Sequence, residues 1–67
     1  MRIRYDSQAD VMIFILNDKP PVDSSEERGG VIISYGADRE PVSVEFLRAS
    51  KRDLLDLDQT SIPLSVV

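Results

Sequence analysis

Residues 11–16 read Val-Met-Ile-Phe-Ile-Leu, six consecutive apolar residues in a chain of 67. A strand buried on one face alternates apolar and polar side chains, whereas a short continuous apolar run is typical of a strand covered on both faces. A chain this short has little material with which to cover both faces of a central strand. The run therefore predicts a central strand whose second face is covered by a folded-back tail or by a second subunit.

Strands are predicted around this run wherever apolar residues are bounded by turn residues. The predicted strands are residues 2–5, 11–16, 31–35 and 42–47, which pair as two hairpins. The polar stretch 19–30 contains Pro20-Pro21 and Gly29-Gly30 and is interpreted as a solvated loop. Ser50 offers an N-cap ahead of Leu54, Leu55 and Leu57, which predicts a short helix. The predicted fold class is α+β: a four-stranded, mostly antiparallel β-meander with a short C-terminal helix and an extended tail, in one domain spanning residues 1–67.

Strand alternation predicts which side chains share a face of this sheet. One face is expected to carry Ile3, Tyr5, Val11, Ile13, Ile15, Val31, Ile33, Tyr35, Val42, Val44 and Phe46. The remaining apolar side chains form a candidate protein interface on the opposite face: Met12, Phe14, Leu16, Ile32 and Leu47. An exposed apolar patch of this size is unusual for a soluble monomer, so these residues predict a homodimer.

Composition narrows the classes of function. The chain has 8 basic and 12 acidic residues, a net charge of -4, and no Cys, His or Trp. The acidic balance disfavours binding to nucleic acid and to anionic membranes. The missing Cys and His remove thiol and imidazole catalysis. We therefore expect a cytoplasmic protein without a cofactor that is not an enzyme.

Three charged groups each have a structural and a functional interpretation. Asp6 and Asp10 either close a turn through hydrogen bonds to the backbone or form a carboxylate pair. Asp23, Glu26 and Glu27 form either a solubilising loop or an acidic docking loop for a basic partner. Arg48, Lys51 and Arg52, with Arg2 and Arg4, form either locally paired charges or a basic patch that binds an acidic ligand.

The segments Arg2–Val11, Gly30–Ile32 and Val44–Lys51 together resemble a known family. These segments include Tyr5-Asp6, Ala9-Asp10 and Ala49-Ser50. Over residues 2–51 the chain is similar to small prokaryotic proteins grouped as domain of unknown function 2283, and residues 52–67 lie outside the resemblance. The resemblance implies a compact β-rich domain with a C-terminal helix and no assigned activity. It also implies an antitoxin-like role beside small toxin-like proteins.

These observations support three hypotheses for function. The first is a non-catalytic protein-interaction module that homodimerises through the sheet face carrying Phe14. The second is an antitoxin-like protein that binds a small basic partner protein through its acidic loop and its apolar patch. The third is a hydrolase that brings Asp6 and Asp10 together across a dimer seam, where two nearby carboxylates could act as acid and base.

Overall fold

The computed structural model describes residues 1–52, which form one antiparallel sheet of five strands. The strands are β1 (Arg2–Asp6), β2 (Val11–Ile15), β3 (Asp23–Glu27), β4 (Val31–Tyr35) and β5 (Pro41–Leu47), and a 3-10 turn (Ala49–Lys51) follows β5. Their order across the sheet is β1-β2-β5-β4-β3. The last of these strands in the sequence therefore occupies the centre, and it joins the hairpin β1–β2 to the hairpin β3–β4.

The predicted meander is wrong in its connection after β2. A meander would place β3 beside β2, but β5 pairs with β2 and β3 lies at the far edge of the sheet. Strands β2 to β5 thus follow a Greek-key order. The connecting segment 16–22 contains Pro20-Pro21, which cannot donate backbone hydrogen bonds. Asn17 fixes the start of this segment because its side chain accepts from the Lys19 N–H at 2.9 Å and donates to the Pro41 carbonyl at 3.2 Å.

The predicted count of four strands is also wrong, because part of the predicted loop 19–30 is strand β3. Its sequence, Asp-Ser-Ser-Glu-Glu, has low intrinsic strand propensity. The segment nevertheless pairs along its length with β4, from Asp23 opposite Tyr35 to Glu27 opposite Val31. Gly29 and Gly30 permit the tight turn between the two strands, since both have positive φ, at 79° and 78°. The position of β3 at the edge of the sheet and the geometry of its turn to β4 outweigh its low strand propensity.

The two predicted hairpins are confirmed, but the predicted face of β2 is wrong. Ile3 pairs with Phe14 and Tyr5 pairs with Met12. Residues directly opposite each other in an antiparallel pair share a face. Val11, Ile13 and Ile15 therefore lie on the face opposite Ile3 and Tyr5. A run that is apolar on both faces contains no alternation, so its register is set by its neighbours and cannot be read from the run itself.

The described part of the chain contains a thin core. Its buried apolar side chains are Met12, Val42 and Ala49, which are 5%, 3% and 0% exposed. The rings of Phe14 and Phe46 pack edge to face beside Met12, with centroids 5.6 Å apart and planes at 78°. Most other strand side chains at the centre of the sheet are only half-buried. Residues 1–52 therefore supply one layer of structure and no second layer.

The β-rich class is confirmed within residues 1–52, which contain a 3-10 turn and no α-helix. The N-terminal cap of that turn is Arg48, in the left-handed conformation with φ 53°, rather than Ser50. The rest of the predicted helix and the predicted tail lie outside the described residues. In the part of the chain that the structure describes, no helix has the length and apolar character needed to cross a membrane.

Candidate functional site

The carboxylate of Asp10 joins the turn after β1 to the segment after β5. It accepts hydrogen bonds from the Tyr5 hydroxyl at 2.8 Å, from the Ser50 N–H at 3.0 Å and from the Ser50 hydroxyl at 2.6 Å. The Asp10 carbonyl also accepts from the Ala49 N–H at 2.9 Å. We call these four residues the Asp10 cluster. It connects positions 40 residues apart in the sequence.

Asp6 and Asp10 have different roles in the same turn. The Asp6 carboxylate accepts from the N–H groups of Gln8 and Ala9 at 3.1 and 3.2 Å, which closes the turn. Asp10 adopts a left-handed conformation with φ 57°, which short polar residues tolerate better than other non-glycine residues. This conformation accompanies the contacts between its side chain and Ser50. The structural interpretation is thus confirmed for Asp6. The described contacts of the Asp10 carboxylate are with Tyr5 and Ser50 and not with the backbone of its own turn.

The electrostatics of the Asp10 cluster favour an ionised carboxylate and a neutral phenol. The hydrogen bonds from the Ser50 and Tyr5 side chains lower the pKa of the Asp10 carboxyl below its ordinary value. The same bond to Asp10, together with the nearby negative charge, raises the pKa of the Tyr5 hydroxyl above its ordinary value. A general acid at neutral pH needs a carboxyl with a raised pKa. The shift at Asp10 runs in the opposite direction.

A second cluster fixes the turn between β3 and β4 to the end of β5. The Arg52 guanidinium donates from Nε to the Leu47 carbonyl at 2.6 Å and from Nη2 to the carbonyls of Gly29 and Gly30. It also lies 5.8 Å from the ring centroid of Phe46, within cation–π range. The Leu47 N–H donates to the Gly30 carbonyl at 2.9 Å. We call this arrangement the Arg52 cluster.

The candidate interface predicted from the sequence is divided between the two faces of the sheet. Met12 and Phe14 share a face with Val44 and Phe46, according to the pairing of β2 with β5. Leu47 pairs with Val11, and Ile32 pairs with Glu45, so both belong to the opposite face. Leu16 follows β2 and is 39% exposed. The five residues therefore do not form one surface.

The face that carries Phe14 is apolar across four strands, and we call it the Phe14 face. Its apolar members are Ile3, Tyr5, Met12, Phe14, Val31, Ile33, Tyr35, Val42, Val44 and Phe46. Its outer margin on β3 is polar, since Ser25 pairs with Ile33 and Glu27 pairs with Val31. At this margin the Ser25 hydroxyl donates to Glu27 at 3.0 Å and lies 3.4 Å from the Tyr35 hydroxyl.

The opposite face mixes apolar and charged side chains. Its centre carries Val11, Ile13, Ile15, Ile32 and Leu47, and its charges are Arg2, Arg4, Asp6, Glu26 and Glu45. The basic residues lie on the edge strand β1, and Glu26 lies on the opposite edge strand β3. Of the two faces, the Phe14 face is therefore the more continuously apolar.

The predicted acidic docking loop is the edge strand β3. Asp23, Glu26 and Glu27 are all exposed on it. Glu26 lies on the face opposite Glu27, because neighbouring residues of a strand alternate between faces. The Asp23 carboxylate accepts from the adjacent Ser24 N–H at 2.8 Å. These charges border the outer edge of the sheet formed by residues 1–52 instead of forming one patch.

Comparison with protein families gave one finding. The family model described as "Protein of unknown function (DUF2283)" matches residues 2–50, about three-quarters of the chain. The chain belongs to the DUF2283 family. Comparison with curated proteins and with solved structures gave no match.

Three of the short motifs that carry the resemblance, Tyr5-Asp6, Ala9-Asp10 and Ala49-Ser50, lie in or beside the Asp10 cluster. Tyr5, Asp10 and Ser50 come from three separate parts of the sequence, and hydrogen bonds join them at one corner of the sheet. Asp6 and Ala9, which complete the same motifs, form the adjoining turn. These three motifs of the chain thus meet at the contact that closes the β1–β2 turn onto the end of β5.

The predicted basic patch does not form as one unit. Arg2 and Arg4 lie on β1, and Arg2 pairs with Asp18 at 3.2 Å. Arg52 is occupied by three backbone carbonyls. Arg48 approaches the same turn as Arg52, since its Nη2 lies 3.1 Å from where a Cβ on Gly30 would be.

Two other features of residues 1–52 could mark a binding site: grouped carboxylates and a surface depression. Within residues 1–52, no three carboxylates are grouped closely enough to hold a metal ion. A surface depression of about 560 Å³ lies beside the start of β3 and the β4–β5 turn, lined by Val22, Ser25, Tyr35 and Arg39 among others. It does not include any member of the Asp10 cluster.

Proposed function

We propose that this DUF2283 protein is a non-catalytic interaction module that forms a homodimer through the Phe14 face. The observation that carries the proposal is an apolar face extending over four strands, which no second strand or helix layer from residues 1–52 covers, although the Arg52 guanidinium lies over its Phe46 ring. Ile3 and Tyr5, at its β1 margin, are 57% and 42% exposed. A sheet with an apolar face is stable when that face packs against another element.

The dimensions of the sheet set the expected strength of the dimer. Five strands about 4.8 Å apart and about 17 Å long give a planar footprint of about 400 Å² per protomer. Two such faces cover about 800 Å², below the roughly 1,200–2,000 Å² that specific stable interfaces bury. A planar footprint understates the accessible area because side chains corrugate the surface. We therefore expect a dissociation constant in the micromolar range.

The carboxylates support the non-catalytic part of the proposal. The hydrolase hypothesis requires Asp6 and Asp10 to serve as an acid and a base. Asp6 accepts two backbone hydrogen bonds and Asp10 accepts three hydrogen bonds, so both are occupied by contacts that shape the chain. The lowered pKa of Asp10 also disfavours the protonated form that a general acid needs.

We also propose a cytoplasmic location and a prokaryotic source, which rest on composition and on the family resemblance.

The proposal is tested by measuring the mass of the protein in solution across a range of concentrations. Sedimentation velocity from about 1 µM to 1 mM covers the expected affinity range. Ile3→Lys places a charge on the exposed margin of the Phe14 face and is expected to weaken the dimer about 10- to 100-fold. Val22→Lys is the matched control because Val22 is 64% exposed and precedes β3, outside the Phe14 face.

Two results would contradict the dimer. One is a monomer at every concentration. The other is a dimer that Ile3→Lys and Val22→Lys weaken equally, since a specific Phe14 interface requires the two variants to differ. Circular dichroism of both variants shows that the sheet is retained.

A second function, partner binding of the antitoxin-like kind, is favoured by the position of the acidic residues. They lie on β3, whose outer edge is available for addition of an extended segment from a basic protein. This function predicts a stoichiometric basic companion in protein isolated untagged from its host. Combined Glu26→Lys and Glu27→Lys should then slow association with that companion, with a weaker salt dependence. Association rates unchanged by the reversal would count against it.

A further inference from the structure

The described part of the chain ends beside the Phe14 face. After β5, the Ser50 hydroxyl donates to the Asp10 carboxylate at 2.6 Å, and the Tyr5 hydroxyl, which belongs to the Phe14 face, donates to the same carboxylate at 2.8 Å. Two residues later, the Arg52 guanidinium lies 5.8 Å from the ring centroid of Phe46, another member of this face. The chain therefore leaves the sheet on the side of the Phe14 face, at the end where β5 stops.

The sequence that continues from Arg52 is suited to an apolar surface. Residues 53–67 contain seven apolar side chains and no lysine or arginine. The apolar residues are Leu54, Leu55, Leu57, Ile62, Leu64, Val66 and Val67. Apolar side chains are stabilised when they move from water into contact with other apolar groups. A segment of this composition that starts beside an apolar face is therefore favoured to pack on it.

The length of this segment matches the size of the face. Five strands about 4.8 Å apart extend about 19 Å across the sheet. The 15 residues from 53 to 67 extend about 22 Å at the rise of an α-helix and about 50 Å when fully extended. From a start beside Phe46 on the central strand, the segment can therefore reach every strand of the face in either conformation.

Charge indicates which strands the segment covers. Asp23 and Glu27 are the acidic residues of the Phe14 face, and both lie on the edge strand β3. The segment carries three aspartates of its own, which these two carboxylates repel. At the other margin of the face, Ile3 on β1 is uncharged and 57% exposed. The segment is therefore expected over β1, β2 and β5 rather than over β3.

Covalent attachment gives the segment an advantage over a second copy of the protein. A tethered segment is present at its site at an effective concentration in the millimolar range. A second copy is present only at its actual concentration, and two copies can stack only when both faces are uncovered. A binding surface that is uncovered in a fraction of the molecules binds more weakly in proportion to that fraction.

We propose that residues 53–67 dock on the Phe14 face of their own chain and compete with a second copy for it. This competition rests on the proposed dimer and adds its regulation, since the dimer forms only when the segment is displaced. Each copy contributes one factor to the cost. A segment that covers the face in about two of three molecules therefore raises the dissociation constant of the dimer about 10-fold.

Alkylation of single cysteines measures whether the segment covers the face. The chain contains no cysteine, and Val44 and Glu45 are neighbouring half-buried residues of β5 on opposite faces of the sheet. Val44→Cys and Glu45→Cys, each in the full chain, are reacted with iodoacetamide at about 0.1 µM protein, below the range expected for the dimer. Leu54→Ser, Leu55→Ser and Leu57→Ser are then combined with each cysteine. These serines should raise the alkylation rate of Val44→Cys about 3-fold and leave that of Glu45→Cys unchanged.

Sedimentation velocity measures the competition. In the chain without cysteine, the three leucine substitutions should lower the dissociation constant of the dimer about 10-fold. Gln59→Ser and Thr60→Ser are the matched control because they place serines at polar positions of the same segment and also leave its charge unchanged. The control substitutions should alter neither the alkylation rates nor the dissociation constant.

Four results would overturn parts of this account. An alkylation rate of Val44→Cys that the leucine substitutions leave unchanged overturns the docking. Equal increases at Val44→Cys and Glu45→Cys also overturn it, because they indicate opening of the whole sheet. A dimer that the leucine substitutions weaken overturns the competition, since the segment then contributes to the contact between copies. A chain that stays monomeric with and without the substitutions overturns the proposed dimer, whereas the alkylation rates still decide whether the segment docks.

Discussion

The Arg52 cluster predicts that two adjacent glycines in one turn respond differently to the same substitution. Gly29 and Gly30 have nearly equal positive φ values, 79° and 78°. A Cβ on Gly29 would meet no atom within 4 Å, whereas a Cβ on Gly30 would lie 2.9 Å from Arg52 Nη2 and 3.1 Å from Arg48 Nη2. Gly29→Ala is therefore a matched control for Gly30→Ala, since both impose the same backbone strain.

The expected magnitudes follow from these contacts. An alanine in the left-handed region costs about 1 kcal/mol, which is the whole effect expected for Gly29→Ala. In Gly30→Ala the guanidinium of Arg52 must also move away from its carbonyl partners. Hydrogen bonds to a charged group contribute about 1.5–3 kcal/mol, and partial exposure to water reduces this loss to about 1 kcal/mol. We expect Gly30→Ala to lower the free energy of unfolding by about 2 kcal/mol, or about 8–16 °C in Tm.

Urea denaturation followed by far-UV circular dichroism measures both variants. One fixed protein concentration is used because the proposed dimer would contribute to apparent stability. The same pair is then measured with Arg52→Ala. Removing the Arg52 guanidinium should reduce the difference between Gly29→Ala and Gly30→Ala, and removing Arg48 as well should make the two variants equivalent. Equal losses with Arg52 in place would refute the reasoning. A difference that Arg52→Ala leaves undiminished would refute it as well.

Three further outcomes are expected. The Asp10 carboxylate has a lowered pKa in the folded state. The stability that it supplies is therefore present above its ordinary pKa and is lost as pH falls through the lowered value. Asp10→Asn should flatten the decrease of Tm at acidic pH. The Tyr5 hydroxyl has a raised pKa, so its contribution to stability is present below its ordinary pKa and is lost as pH rises through the raised value. Tyr5→Phe should remove from an absorbance titration a phenolate transition that lies above the ordinary pKa of tyrosine. Met12 is 5% exposed, and Met12→Ala should lower the free energy of unfolding by about 2–4 kcal/mol in a thermal melt. Ile3 is 57% exposed, and Ile3→Ala should lower it by less than about 1 kcal/mol at concentrations where the protein is monomeric.

The sequence predicted the parts of this fold that depend on local pattern. The four strands with apolar or alternating residues and both hairpins were predictable because turns flank each strand. Strand β3 was not, because an edge strand need not be apolar, although Gly29-Gly30 before Val31 was a usable hairpin signal. The face of β2 depends on register, which a continuously apolar strand does not encode.

The candidate site was predictable only in part for a related reason. The role of Asp6 in its turn is local and follows from residue type. The bonds from Ser50 to Asp10 cross 40 residues, and the contacts of Arg52 depend on carbonyls of a turn more than 20 residues earlier. Such contacts are fixed by topology, since β5 brings both segments to the same end of the sheet. They could not be read from spacing in a single sequence.

The central position of β5 has a consequence for how the protein is made. During synthesis the hairpins β1–β2 and β3–β4 leave the ribosome before the strand that joins them. Two-stranded hairpins are marginal alone in water, so neither is a stable domain while the ribosome still holds residues 41–47. The nascent chain should therefore stay sensitive to proteases until its fifth strand emerges, and then acquire resistance in a single step. A stalled chain from which only residues 1–40 have emerged and one from which residues 1–52 have emerged should differ sharply in that resistance.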